Sequence, residues 1–263
     1  MPILTTPEVR IHFRDEGTGV PLLLLHAFPL SGDMFDAQVS ALREQARFLV
    51  PDHRGFGKSS LGAGPATMEA LARDALALLD HLGIASAVVG GVSMGGYSAL
   101  ALLRADPGRV RGLVLADTQV SADDEAGRAA REELAQAVLA RGMEVLVERQ
   151  LPRLLAPGAP AAARARVEAM IRANLPAGAA AALRGMALRS DGTDILARFG
   201  GPLLVLVGAE DAVTPRARAR TMADLVPGSE LVEIPGAGHL ANLEAPGPFN
   251  AALGRYLARW NGP

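Results

Sequence analysis

The chain has 263 residues, 49% of them hydrophobic and 21% charged, with a formal net charge of −2. It has no cysteine, which removes thiolate nucleophiles, disulfides and cysteine-ligated zinc or iron–sulfur sites in one step. Lys58 is the sole lysine, so Schiff-base chemistry would rest on it alone, and the arginines are scattered among 28 acidic residues, which speaks against a nucleic-acid partner.

Val9–Phe13 alternates apolar and charged residues ahead of Gly17-Thr-Gly19, and predicts an antiparallel edge hairpin. Continuous apolar runs follow at Pro21–His26, Arg47–Pro51, Ala85–Gly91, Val110–Ala116, Pro202–Gly208 and Ser229–Pro235. Runs this short and unbroken read as strands buried on both faces. Between them Asp33–Glu44, Thr67–Leu82, Gly95–Ala105, Pro215–Leu225 and Pro246–Arg259 repeat apolar positions at three and four residues, as helices do. The alternation predicts an α/β fold, a mostly parallel twisted sheet flanked by helices.

From Ser121 to about Phe199 no strand is evident, and Pro152, Pro157-Gly158, Pro160 and Pro176 break an Ala-, Arg- and Leu-rich stretch into helix-length pieces. The expected organisation is a core of residues 1–120 and 200–263 with a helical cap at 121–199, over the carboxyl ends of the strands where such sheets place ligands. No apolar run approaches the ~20 residues of a membrane-spanning helix, and Glu8, Arg10, His12, Arg14 and Asp15 interrupt any signal peptide. A cytoplasmic protein is the default expectation; oligomeric state is left open.

Chemistry concentrates at Gly91-Val-Ser93-Met-Gly95, a G-x-S-x-G pattern between a strand and a helix. On such a turn the serine is pushed outward, the glycines admit close backbones, and the helix N-terminus aims N–H groups at negative charge formed beside it. A serine hydroxyl needs a base. Of five histidines, His12 lies in the hairpin and His81 on a helix face, while His26 and His53 follow strand ends, His26 suiting a buried structural hydrogen bond. His239, in the loop after the last strand, is the candidate base. Asp211, after the Leu203–Val207 run, is the candidate acid, with a helix-capping role as its structural alternative; Asp117 is its main rival and the adjacent Glu210 a weaker one.

These motifs, with Gly17-Thr-Gly-Val-Pro21, His26-Ala-Phe-Pro29, Asp52-His-Arg-Gly-Phe-Gly-Lys-Ser59 and Gly238-His239, resemble the α/β-hydrolase superfamily over essentially the whole chain, in particular its small cofactor-free serine hydrolases with a helical cap. The resemblance implies Ser93 as nucleophile, Asp211 as acid and His239 as base, the backbone N–H groups of Phe28 and Met94 as oxyanion hole, and no metal or cofactor. It also implies a structural turn at Asp52–Ser59 with Arg54 paired internally. Ala27 stands where the family usually has glycine. A serine elbow sets the chain apart from the haloalkane dehalogenases and epoxide hydrolases of this fold, which carry aspartate there.

The loop and elbow look most like 3-oxoadipate enol-lactone hydrolases and small carboxylesterases, which makes a small carboxylic ester or lactone the expected substrate, cleaved through an acyl-enzyme. Perhydrolases, amide and C–C hydrolases, and non-catalytic binding members share these features. With aromatics at 4%, an aliphatic pocket from Met143, Leu151, Met170 and Met186 is expected, although each taken singly is more simply core of the cap.

Overall fold

The apolar runs become the middle of one eight-stranded sheet in the computed structural model, which describes residues 2–260. The strands are β1 (Ile3–Thr5), β2 (Arg10–Glu16), β3 (Val20–Leu25), β4 (Ala46–Pro51), β5 (Ala87–Val92), β6 (Val110–Ala116), β7 (Leu203–Gly208) and β8 (Glu230–Ile234). Their order is β1-β2-β4-β3-β5-β6-β7-β8, antiparallel at β1–β2 and β2–β4 and parallel from there on. The helices α1 (Asp36–Leu42), α2 (Met68–His81), α3 (Met94–Ala105), α10 (Arg216–Leu225) and α12 (Pro246–Leu257) lie between or after the strands, as the periodicity predicts.

Successive residues of a central strand feed opposite cores. Leu22 and Leu24 of β3 join one apolar cluster and Leu23 and Leu25 the other, and Leu204 and Leu206 alternate with Leu203, Val205 and Val207 in the same way on β7. Local chemistry sets the helix ends: the Thr67 side chain accepts from Ala70 N–H to start α2, and Pro176 occupies the first turn of α8 (Pro176–Ala187), where its missing N–H costs nothing.

The segment around Val9–Phe13 forms an antiparallel pair at the edge of the sheet, as expected. β2 pairs with β1 on one side and with β4 on the other, and not with β3, which follows it after the glycine turn. Gly17 and Gly19 have φ of +92° and +105°, and a Cβ at either would strike the carbonyls of Arg43, Gln45 or Ala46. The loop therefore crosses over the start of β4 and delivers β3 to the far side of it. The edge strands are β1 and β8.

Between β6 and β7 lie α4 (Glu125–Arg141), α5 (Glu144–Arg149), α6 (Leu151–Leu154), α7 (Ala161–Ala173), α8 and α9 (Thr193–Ala197). Leu134, Val138, Leu146, Val167, Ile171 and Leu183 of this insertion are buried in the same cluster as Leu22, Phe48 and Val50 of the sheet. A short α11 (Ala241–Glu244), which no periodicity announces, follows β8. None of the helices among the described residues is long and apolar enough to cross a membrane.

Candidate active site

Ser93 stands between the end of β5 and the first turn of α3, at φ 53° and ψ −113°, a conformation that L-residues avoid at a cost of about 1–3 kcal/mol. The neighbours hold it there. Ser93 N–H donates to Ala116 O on β6 (3.0 Å), and the Thr118 hydroxyl donates to Ser93 O (2.8 Å). A Cβ at Gly91 would overlap Gly95, and one at Gly95 would overlap the Leu25 carbonyl of β3. Gly95→Ala is therefore expected to cost about 3 kcal/mol or more, because backbone cannot yield as a side chain does. A denaturant midpoint, or failure to accumulate folded protein, reads this out.

The loops after β7 and β8 bring two further predicted residues to the serine. His239 Nε2 lies 2.8 Å from Ser93 Oγ, and His239 Nδ1 lies 2.9 Å from Asp211 Oδ2. His239 and Asp211 are almost wholly buried, and Ser93 keeps 9% exposure, enough for one open face. Asp211 also accepts from the N–H groups of Val213 (2.7 Å) and Thr214 (2.9 Å) through Oδ1, and from the Thr214 hydroxyl (2.7 Å) through Oδ2. Burial pushes this carboxyl up, but the bonds from His239 and Thr214 outweigh it and hold it below the usual carboxylate range. Asp211 is thus an ionised acceptor, Nδ1 of His239 carries the proton, and Nε2 is left to accept from Ser93. The helix-capping alternative for Asp211 is not what the side chain does: its Oδ1 holds the turn at Val213 and Thr214, and the helix that follows starts after Pro215 with no side-chain cap.

The rivals are elsewhere. Asp117, directly after β6 with φ 44°, accepts from Gly208 N–H through Oδ1 (2.7 Å) and from Ala241 N–H through Oδ2 (3.1 Å). Burial, and then the charge of Asp211, push its carboxyl well above the usual range. Glu210 is exposed.

His26 donates from Nδ1 to Ala27 O and accepts His53 N–H at Nε2, both at 2.9 Å, the structural role expected of it. His12 is buried against Asp52 (2.9 Å), and His81 sets its ring edge-on to Phe13. Arg54 makes a two-pronged pair with Asp74 (2.7 Å each), and Asp52 gathers the N–H groups of Gly32 and Lys58, so the 52–59 turn is held internally as the resemblance implies.

The paired imidazoles give the fold an acid weakness. His26 and His53 are buried ring to ring, 4.3 Å apart, and His53 Nε2 has no partner among the described residues. Burial lowers both, His53 strongly, with His26 adding to the effect on His53. Above the ordinary histidine value of 6.5 neither the folded nor the unfolded chain takes these protons. As pH falls below it the unfolded chain binds protons that the fold refuses, so stability falls by up to about 1.4 kcal/mol per pH unit for each refused proton until the depressed native values are reached. Urea midpoints between pH 7.5 and 5.5 should fall more steeply for the wild type than for His53→Asn, and parallel slopes would contradict the assignment.

Met94 opens α3, so its N–H has no partner within the helix. Phe28, in the loop after β3, donates to no protein acceptor among the described residues. Ala27, in the position where the family usually has glycine, is fully buried and has no positive φ. A cavity of roughly 320 Å³ reaches Phe28 and Thr214, and Tyr97, Gln119, Arg131, Arg153 and Val213 are among its walls. Leu134 and Leu183 supply its aliphatic part, and none of the four residues expected to line it does so. Met143, Leu151 and Met186 are buried in the core that the insertion shares with the sheet, and Met170 packs against it, because the helices turn these apolar side chains inward. Among the described residues there is no group of three or more His, Asp or Glu able to hold a metal ion.

A mostly parallel sheet with a serine at the turn after β5, and an aspartate and a histidine brought to it by the loops after β7 and β8, is the arrangement of an α/β hydrolase, and residues 20–246 match the family model described as the alpha/beta hydrolase fold. The chain belongs to that family and is a hydrolase. It is 40% identical to a thermophilic esterase from Thermogutta terrifontis, with a TM-score of 0.95 over 99% of this chain and 97% of that one. It is 28% identical to 3-oxoadipate enol-lactonase 2 of Acinetobacter baylyi over 98% of this chain and 97% of the relative, and 33% identical to haloalkane dehalogenase 2 of Mycobacterium tuberculosis over 93% and 90%.

Proposed function

We propose that this protein is a serine hydrolase of small carboxylic esters or lactones, with Ser93 as nucleophile, His239 as general base and acid, Asp211 as the residue that orients and stabilises the imidazole, and residues 121–199 as a cap over the site. The observation that carries the reading is the continuous line Ser93 Oγ–His239 Nε2 (2.8 Å) and His239 Nδ1–Asp211 Oδ2 (2.9 Å) in a buried setting. The relatives named esterase and enol-lactonase support the bond type. The dehalogenase's reaction does not carry over, since serine stands at the elbow where the resemblance implies aspartate for those enzymes.

In the first step Ser93 Oγ attacks the carbonyl carbon and its proton passes to His239 Nε2. The carbonyl oxygen takes the negative charge and rests on the N–H groups of Met94 and Phe28, each such donor contributing about 2.7–4 kcal/mol to the transition state. The bond to the alcohol oxygen then breaks, and that oxygen takes the proton from His239. Water repeats the sequence on the acyl-serine: His239 removes its proton, its oxygen bonds to the carbonyl carbon, and the proton returns to Ser93 Oγ as the acid leaves. A lactone differs only in that its alcohol stays tethered to the acyl chain.

The cavity of roughly 320 Å³ favours a short acyl group over a long alkyl chain, and its wall mixes Gln119, Arg131 and Arg153 with Leu134, Leu183 and Val213. A panel of p-nitrophenyl esters, lactones and anilides of graded acyl length tests the reading. Turnover of acetate and butyrate esters with a fall beyond medium chains is expected. No hydrolysis of any member, with Ser93 unlabelled by a fluorophosphonate, would leave the non-catalytic binding reading standing.

A further inference from the structure

We propose that Glu244 and Asn174 are positioning residues that tie the insertion to the two loops carrying the reacting groups, so that the seating of the insertion sets the catalytic geometry. The inference rests on the roles given above to His239, Ser93 and Phe28.

Glu244, in α11, is 8% exposed and uses its two oxygens on two different segments. Oε2 accepts from the N–H of Ala156, in the insertion between α6 and α7, at 2.7 Å. Oε1 accepts from the N–H of Gly238, the residue before His239, at 2.9 Å. The two segments also touch directly: a Cβ at Gly238 would lie 2.5 Å from Ala156 N and 2.8 Å from the Leu155 carbonyl carbon. One carboxylate and one glycine thus clasp the insertion backbone to the base loop.

Asn174, which ends α7, does the same for the other loop. It is 6% exposed, and its amide donates to Pro29 O (2.8 Å) and Met170 O (2.9 Å) while its oxygen accepts from Gly57 N–H (2.8 Å). Pro29 directly follows Phe28. Both residues are buried polar groups with their bonding capacity spent on backbone of separate segments, an arrangement that fixes relative position and is costly to half-satisfy.

The test uses isosteric variants that keep volume. Glu244→Gln retains one acceptor and turns an amide N–H₂ against an N–H, and Asn174→Asp sets a carboxylate against the Pro29 carbonyl. Each is assayed, below its melting temperature, for kcat and KM on p-nitrophenyl acetate and for the rate of inactivation by a small alkyl fluorophosphonate, a probe that needs only Ser93, His239 and the oxyanion donors. A displacement of about 1 Å costs on the order of 100-fold, so a loss of about tenfold or more is expected in kcat and in the inactivation rate, with KM little changed. Arg104→Ala, which severs an exposed ion pair between α3 and α9, is the control and should keep wild-type rates.

Wild-type inactivation rates in the isosteric variants, or equal slowing in the control, would overturn the proposal. If Glu244→Gln does not fold, Asn174→Asp decides it by the same readout. A wild-type protein that the probe never labels would instead sink the underlying functional reading.

Discussion

Replacing Ser93 with alanine should lower kcat for p-nitrophenyl butyrate by roughly 10⁵-fold or more, the scale on which loss of the nucleophile acts in Ser-His-Asp hydrolases. The hydroxyl is the only oxygen in the line of hydrogen bonds positioned to form the acyl bond. His239 Nε2 points at it, the chain has no cysteine, and Lys58 lies in the 52–59 turn, so neither a thiolate nor an amine stands ready to replace it. The fold should survive. Alanine accepts the backbone of residue 93 no better and no worse than serine, the close contacts of Gly91 and Gly95 are untouched, and the loss is one hydrogen bond at His239, worth about 1 kcal/mol. A melting temperature near wild type, together with lost turnover and lost fluorophosphonate labelling, is the expected pair of results. Retained hydrolysis at even a tenth of the wild-type rate would assign the nucleophile elsewhere.

The parts of this molecule that can be read along the chain are those whose cause is local. The central strands are legible because burial on both faces demands unbroken apolar runs such as Leu22–Leu25, and the elbow is legible because only glycine fits at positions 91 and 95. His239 emerges by elimination from five histidines. What escapes has a distant cause. The partners of Glu244 and Asn174 lie 88 and 145 residues away, and no spacing announces them. The β2–β4 pairing depends on a loop crossing over carbonyls that belong to another segment. The cavity lining misleads for a third reason: in the insertion apolar residues are needed first for its core, so methionines that suggest a pocket are spent on packing, and Arg131 and Arg153 join Leu134 and Leu183 in the cavity wall.

The choice of acid turns on what an amide does at each of two carboxylates. In Asp211→Asn the N–H groups of Val213 and Thr214 continue to require an acceptor at the position of Oδ1, so the amide oxygen settles there and the N–H₂ faces His239 Nδ1. Nδ1 must then accept, the proton moves to Nε2, and the imidazole can no longer take one from Ser93. A fall in kcat of about 10⁴-fold is expected, as in triads whose aspartate is made asparagine. In Asp117→Asn the oxygen satisfies only one of Gly208 N–H and Ala241 N–H and the amide opposes the other. That strains the junction of the β7 and β8 loops and costs about 1–3 kcal/mol of stability for the group left unpaired, while His239 keeps its partner. Per folded molecule, activity should fall by far less than in the Asp211 variant. The two variants therefore separate on different axes, one in kcat and the other in the denaturation midpoint, and a larger kcat loss in Asp117→Asn would transfer the acid's role to the end of β6.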